Sequence, residues 1–186
     1  MNKPVTLALF VLMALVQLAA PGSMIFSHER VLAKGEAFKF RTAPVDPYDA
    51  FRGRYVALRF ENAKAHAAED EPVGYGRTVY ATIEVGPDGF AKFGAATASP
   101  PKSGPYLKTK AQYRDANGEV GLALPFDRFY MEETKAPAAE DAYRAANRGA
   151  ERDAYAVVRV LDGGAAIEEL YVGGKPIREA VEGTGK

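Results

Sequence analysis

Two groups of polar side chains in the sequence could do chemistry, one in a short charged segment and the other after a later aromatic pair. The candidate binding residues are Asp46, Asp49, Arg52, Tyr55, Tyr130 and Glu132. If the fold brought them together, carboxylates and a guanidinium at the lip of a sheet would form a polar cluster able to bind a ligand. A structural role is the alternative, because helix caps and ion-pair networks use the same residue types. The sequence therefore offers a candidate binding site without an identifiable catalytic residue.

The chain supplies few of the groups that enzymes use as nucleophiles or metal ligands. It has no cysteine and only two histidines, His28 and His66. Ser27 beside His28 is sequence adjacency, which does not create the geometry of a catalytic pair. His66 and the acidic residues 69–71 could collect a hard cation, but a solvated acidic loop explains them equally. We therefore predict no metal site and no cofactor, and lean towards a protein that is not an enzyme.

The segment with the first polar group also carries helix-capping and turn signals. Asp46 suits a helix N-cap, Pro47 suits the first helical position, and Gly53 permits the left-handed backbone that ends a helical turn. From position 54 the residues alternate, and the apolar face comprises Val56, Leu58 and Phe60. The pattern predicts a single helical turn that runs into a half-buried strand.

These residues resemble the GDYXXLXY domain family, a group of bacterial membrane-anchored proteins without an assigned activity. The residues that fall on the family motif are Gly53, Tyr55, Leu58 and Phe60, the last as Phe where the family usually has Tyr. The upstream residues that are also similar to the family are Pro44, Asp46, Pro47, Asp49 and Arg52. Arg54 stands where the family has its namesake Asp, which lowers the expectation of a carboxylate-based activity there. The segments 128–133 and 168–177 are similar to later parts of the family, so the resemblance covers most of the soluble chain.

The N-terminus has the composition of a membrane anchor. Residues 5–20 are apolar except for Thr6 and Gln17, and the run continues to Phe26. About 20 apolar residues span a bilayer, so residues 1–26 are predicted to be a single-pass anchor in the inner membrane. A cleaved signal peptide is the alternative, although Pro21 makes a poor cleavage site. Lys3 is expected to stay inside, which places residues 27–186 in the periplasm.

Composition limits the partners of the remaining chain. The 186 residues include 24 basic and 24 acidic side chains, interleaved along the sequence. A nucleic-acid-binding protein would need a basic face, so nucleic acid is not an expected partner. The length left after the anchor suits one domain with its own core.

Hydrophobic alternation and turn residues predict a mainly β, α+β fold. The predicted strands cover residues 36–42, 54–60, 77–85, 90–97, 106–114, 119–124, 153–161 and 165–172. Turn sequences at 86–89, 115–118 and 162–164 predict three hairpins, and residues 62–72 read as a polar loop. One soluble helix is predicted over 137–148, with Glu140 and Asp141 in its first turn. We expect an antiparallel sheet or partly open barrel of hairpins behind an N-terminal transmembrane helix.

Two classes of function follow from these features. The first is a non-catalytic, membrane-tethered periplasmic module that binds an envelope component or a multi-pass membrane protein. The second is an envelope hydrolase or metal-dependent enzyme that uses Asp46, Asp49 and Glu132. The lack of catalytic groups favours the first class.

Overall fold

A computed structural model describes residues 3–44, 55–147 and 153–182 of the chain. The helices are α1 (Lys3–Lys34), α2 (Ala136–Ala146) and α3 (Ile177–Glu182). The strands are β1 (Glu36–Ala43), β2 (Tyr55–Ala57), β3 (Arg59–Phe60), β4 (Lys64–His66), β5 (Thr78–Val85), β6 (Ala91–Thr97), β7 (Tyr106–Arg114), β8 (Glu119–Ala123), β9 (Arg128–Tyr130), β10 (Ala154–Leu161), β11 (Gly164–Val172) and β12 (Lys175–Pro176). The predicted mainly β fold behind an apolar helix is confirmed.

The first layer is a five-stranded antiparallel sheet in the order β12-β11-β10-β1-β3. Alternation along β1 places Phe38, Phe40 and Thr42 on the buried face, while Lys39 faces solvent. The same period of two applies to β10, where every second residue is buried. The residues that sequence alternation assigned to one face of these strands therefore share one face of the sheet.

The second layer is a closed five-stranded barrel in the order β4-β6-β5-β7-β8. Hairpin turns join β5 to β6 and β7 to β8, with Gly89 at φ 77° and Gly118 at φ 79°. Positive φ is the backbone region that glycine adopts without steric cost, which is why these turn sequences predicted the hairpins correctly. β4 closes the barrel by pairing antiparallel with β8 and parallel with β6.

An aromatic cluster joins the sheet to the barrel. Phe40 of the sheet stacks on Phe93 of the barrel with ring centroids 5.2 Å apart. Phe60 and Phe126 meet edge to face at 5.2 Å, and both also contact Phe40. Because these rings belong to one continuous core, the sheet and the barrel form a single packed unit.

Helix α1 continues past the apolar segment into the body. It is the one helix among the described residues that is long and apolar enough to cross a membrane, and its most apolar window, of mean hydropathy 2.1, is not buried. Pro21 lies inside the helix and does not end it. At the other end Val31 is buried against the sheet, and the Gly35 amide donates to the Val31 carbonyl at 2.8 Å. The helix thus joins the body directly rather than through a linker.

Four local predictions need correction. The strand predicted over 54–60 is two short strands in its described part, residues 55–60, because the Leu58 amide donates to the Asp127 carbonyl at 2.8 Å where pairing switches from β9 to β1. The 62–72 loop contains β4, too short to show a pattern. Helix α2 begins at Ala136, so Glu140 and Asp141 lie beyond its first turn. Helix α3 is a second soluble helix that the sequence did not indicate.

Candidate functional site

The pairing of β2 with β9 brings two of the predicted binding residues together. Tyr55 lies directly opposite Tyr130, and their rings are 5.6 Å apart at 58°. The Arg128 guanidinium lies 5.1 Å from the centre of the Tyr55 ring. A guanidinium over an aromatic face gains electrostatic attraction from the ring quadrupole. This two-stranded ribbon therefore presents a cation framed by two tyrosines.

A cleft of about 470 Å³ lies beside this ribbon, where α1 reaches the body. We name it the foot cleft. Its walls come from α1, β9, β11 and α3, and the residues that matter below are His28, Leu32, Arg128, Phe129, Ile167 and Arg178. The volume falls within the range of about 300–1,000 Å³ that is usual for small-ligand sites.

Two guanidiniums face the foot cleft from different elements. Arg128 lies on β9, and Arg178 lies on α3 with its guanidinium 5.4 Å from the centre of the Phe129 ring. A hydrogen bond to Tyr130, followed by the charge of Asp127, holds the pKa of Arg128 above its usual value. The guanidinium group of arginine is protonated in proteins, so the cleft is lined by two positive charges.

The carboxylates near these arginines either form long ion pairs with them or are paired with another residue. Asp127 lies 3.6 Å from Arg128, and Glu169 lies 3.8 Å from Arg178. Glu168, which lines the cleft, accepts two bonds from Arg159 at 2.7 and 2.8 Å. That fork-shaped pair lowers the pKa of Glu168, first through the hydrogen bond from Arg159. The carboxylate of Glu168 is thus paired with Arg159.

The Arg159–Glu168 pair also fixes the end of α1. Arg159 donates to the Gly35 carbonyl at 3.0 Å, directly after α1 ends. Arg30 of α1 contacts Asp162 in the β10–β11 turn at 3.2 Å. A Cβ on Gly35 would lie 2.5 Å from the Val31 carbonyl of α1 and 3.0 Å from the Val160 amide of β10, so only glycine fits where the helix meets the sheet. The position of the cleft relative to α1 is therefore defined by several contacts.

The other residues predicted to form the site are placed as follows. Glu132 is exposed and lies 3.6 Å from Lys135, its neighbour at the start of α2. Leu58 and Phe60 are buried in the core, whereas Pro44 is exposed at the end of β1. The predicted residues that lie outside the described part of the chain are Asp46, Pro47, Asp49, Arg52 and Gly53. The binding role of the set stays a prediction.

The acidic loop around His66 does not form a metal site in the described residues. No group of three or more His, Cys, Asp or Glu side chains in these segments could hold a metal ion. His66 is exposed on β4, and Glu71 instead accepts a bond from the Ala98 amide at 2.9 Å. These two residues therefore have structural positions in and beside the barrel.

Sequence reasoning missed the foot cleft because its walls are far apart along the chain. His28 follows the predicted anchor of residues 1–26, but it lies within α1 and lines the cleft. Arg128 sits two residues before Tyr130, which places both on the same side of a strand and was an available signal. Nothing in the sequence linked Arg178 to that strand.

The described arrangement can bind an anion, since it presents two guanidiniums beside apolar walls. No curated protein and no solved structure shows significant similarity to the chain. The family model described as GDYXXLXY protein matches residues 17–170, which cover the end of α1, the barrel and most of the sheet. The chain therefore belongs to the GDYXXLXY protein family.

Proposed function

We propose that this protein is a membrane-tethered, non-catalytic binding module whose body lies on the periplasmic side of the inner membrane. The observation that carries the proposal is the continuity of α1 from its exposed apolar segment into the body, where Val31 and Gly35 pack on the sheet. A body held in this way meets its partners on or in the same membrane. Lys3, at the N-terminal end of the apolar run, supports an inside position for that end.

The partner that we propose is an envelope component, in particular a multi-pass membrane protein. The side chains of α1 from Val5 to Phe26 are almost all exposed, so they offer an apolar surface to lipid or to other helices. Next to the foot cleft, Tyr130 has 64% of its surface exposed. Exposed aromatic side chains are frequent in protein interfaces, where they supply large contact areas.

Site-specific photo-crosslinking in native membranes tests this function. A photoreactive residue at Tyr130 is expected to capture a defined membrane protein, and one at Tyr75 is the control. Tyr75 is 86% exposed in the segment before β5, so it is at least as accessible. The membranes are first washed with alkaline carbonate, which should leave the protein in the pellet. Release of the protein by carbonate would contradict the tether, and capture of only a second copy of this chain would contradict the proposed partner.

A further inference from the structure

The position of the foot cleft along α1 determines what can reach it. This step depends on the membrane tether proposed above. The exposed apolar run of α1 ends at Phe26. With a rise of about 1.5 Å per residue, His28 lies about 3 Å and Leu32 about 9 Å beyond that point. The polar layer on each side of a bilayer is about 5–8 Å deep. The cleft therefore opens at the level of the lipid headgroups.

The chemistry of the cleft suits a phosphate joined to an apolar group. Arg128 and Arg178 approach from two different elements and line one cavity. A guanidinium offers five N–H donors in a planar fork, which matches the oxygens of a phosphate. Apart from His28 and from Glu168, which is paired with Arg159, the rest of the wall is mainly apolar or aromatic and includes Leu32, Phe129 and Ile167. A free inorganic anion would leave that apolar wall without a function, whereas a lipid would use both parts.

The existing ion pairs leave these arginines able to bind a further anion. Charge-assisted hydrogen bonds between a guanidinium and a carboxylate are about 2.7–2.9 Å long. The approaches of Asp127 to Arg128 at 3.6 Å and of Glu169 to Arg178 at 3.8 Å are longer than that. Glu168, by contrast, is held by Arg159 at 2.7 Å. Donors of both cleft arginines are therefore not used in short carboxylate bonds with these neighbours.

We propose that the foot cleft binds the phosphate headgroup of an anionic phospholipid from the membrane that holds α1. Arg128 and Arg178 contact the phosphate oxygens, and Leu32, Phe129 and Ile167 contact the apolar part of the lipid next to the headgroup. The bound lipid would then orient the body relative to the membrane surface. Aromatic and basic residues are commonly placed at this depth, where their polar and apolar parts are both accommodated.

Native mass spectrometry of the full-length protein tests the proposal. The protein is reconstituted in nanodiscs of phosphatidylcholine with a minor fraction of phosphatidylglycerol and then released for mass measurement. We expect one phosphatidylglycerol to stay bound to most molecules. The double variant Arg128→Gln/Arg178→Gln should retain it about tenfold less, because lost hydrogen bonds to a charged group correspond to at least that factor. The control Lys102→Gln/Lys110→Gln removes two exposed charges from the barrel side and should retain lipid as the wild type does.

Several outcomes would overturn the proposal. Equal retention of phosphatidylcholine and phosphatidylglycerol would show that the cleft does not select an anion, and equal losses in both double variants would show a general effect of charge. Displacement of the lipid by millimolar inorganic phosphate would assign the cleft to a free anion. Thermal unfolding of the variants verifies that they fold, and Arg178→Gln alone provides a milder test at a side chain that is 59% exposed.

The experiment separates this inference from the proposed function. A protein that fails to enter nanodiscs, and that carbonate removes from membranes, contradicts the tether itself. A protein that inserts normally but retains no phosphatidylglycerol contradicts only the lipid site. Protein crosslinking at Tyr130 could still succeed in that second case.

Discussion

The foot cleft and a second cavity at one end of the barrel differ in the use of their polar groups rather than in size. The second cavity, which we name the barrel-end cavity, is lined by residues 66–69 and 114–118 and has a volume of about 560 Å³. Its arginine, Arg114, donates to the carbonyl oxygens of Glu71 at 2.6 Å and Ala68 at 2.7 Å. Its carboxylate, Asp115, accepts from the amides of Asn117 and Glu119 at 2.9 and 2.8 Å. These groups hold a loop and a turn in place.

In the foot cleft, by contrast, Asp127 and Glu169 approach Arg128 and Arg178 at 3.6 and 3.8 Å, which is longer than a charge-assisted hydrogen bond. The larger cavity is thus the one whose charged side chains form hydrogen bonds with backbone groups of the protein. Cavity volume alone therefore does not indicate a binding site, because the charged groups must also keep donors that short bonds within the protein do not use. Three variants test this difference between the cavities and the packing around them.

The largest effect is expected where the sheet meets the barrel, since the two share one continuous core. Gly163 lies in the β10–β11 turn at φ 82°, and its carbonyl accepts from the Lys108 amide of the barrel at 2.9 Å. A Cβ there would lie 2.7 Å from Tyr106 and 2.9 Å from Lys108. Gly163→Ala should lower the free energy of unfolding by about 3 kcal/mol, from left-handed strain together with overpacking. Chemical denaturation of the protein in detergent measures this change in the free energy of unfolding.

The matched control is Gly173→Ala in the turn before β12. Gly173 also has positive φ, 60°, but a Cβ there would have nothing within 4 Å. Gly173→Ala should lower the free energy of unfolding by the left-handed strain alone, about 1 kcal/mol. Equal losses for the two variants would show that the contact between turn and barrel contributes nothing.

A smaller effect is expected at the barrel-end cavity. Arg114→Gln removes the bonds to the Glu71 and Ala68 carbonyls and should lower the free energy of unfolding by about 2 kcal/mol. Phosphatidylglycerol retention should not change, because the residue is not in the foot cleft. Arg77→Gln is the control, since Arg77 makes one longer bond to the Pro72 carbonyl in the same region, at 3.3 Å. Loss of lipid retention in Arg114→Gln would remove the distinction between the two cavities.

The smallest effect concerns the acid that lines the foot cleft. Arg159 lowers the pKa of Glu168 in the folded state below its ordinary value of 4.5. The resulting stabilisation is therefore fully present above pH 4.5 and is lost as the pH falls through the folded-state pKa. On acidification from neutral pH, the wild type should lose slightly more stability than Glu168→Gln. Parallel acid profiles in thermal unfolding would show that the pair does not contribute, as happens for many exposed ion pairs.

The local structure of this protein could be predicted where short-range rules decide it. Hairpins around Gly89 and Gly118 followed from turn residues, and the buried faces of β1 and β10 followed from alternation. Elements of two or three residues, such as β4 and β12, could not be predicted because they are too short to show a pattern and are defined only by their pairing with neighbouring strands. The interruption between β2 and β3 at Leu58 could not be predicted either, since it depends on the Asp127 carbonyl, which is distant in the sequence.

In the candidate site, too, some features follow from the local sequence and others only from contacts between distant residues. The sequence alone singled out Tyr55 and Tyr130, and it determined that α1 is apolar enough to cross a membrane, because composition and length suffice for that. Only the tertiary structure decided that Tyr55 lies opposite Tyr130 and that Arg128 and Arg178 share a cleft with His28. These residues are far apart in the chain, and their contacts depend on strand pairing and helix packing, which no local pattern records.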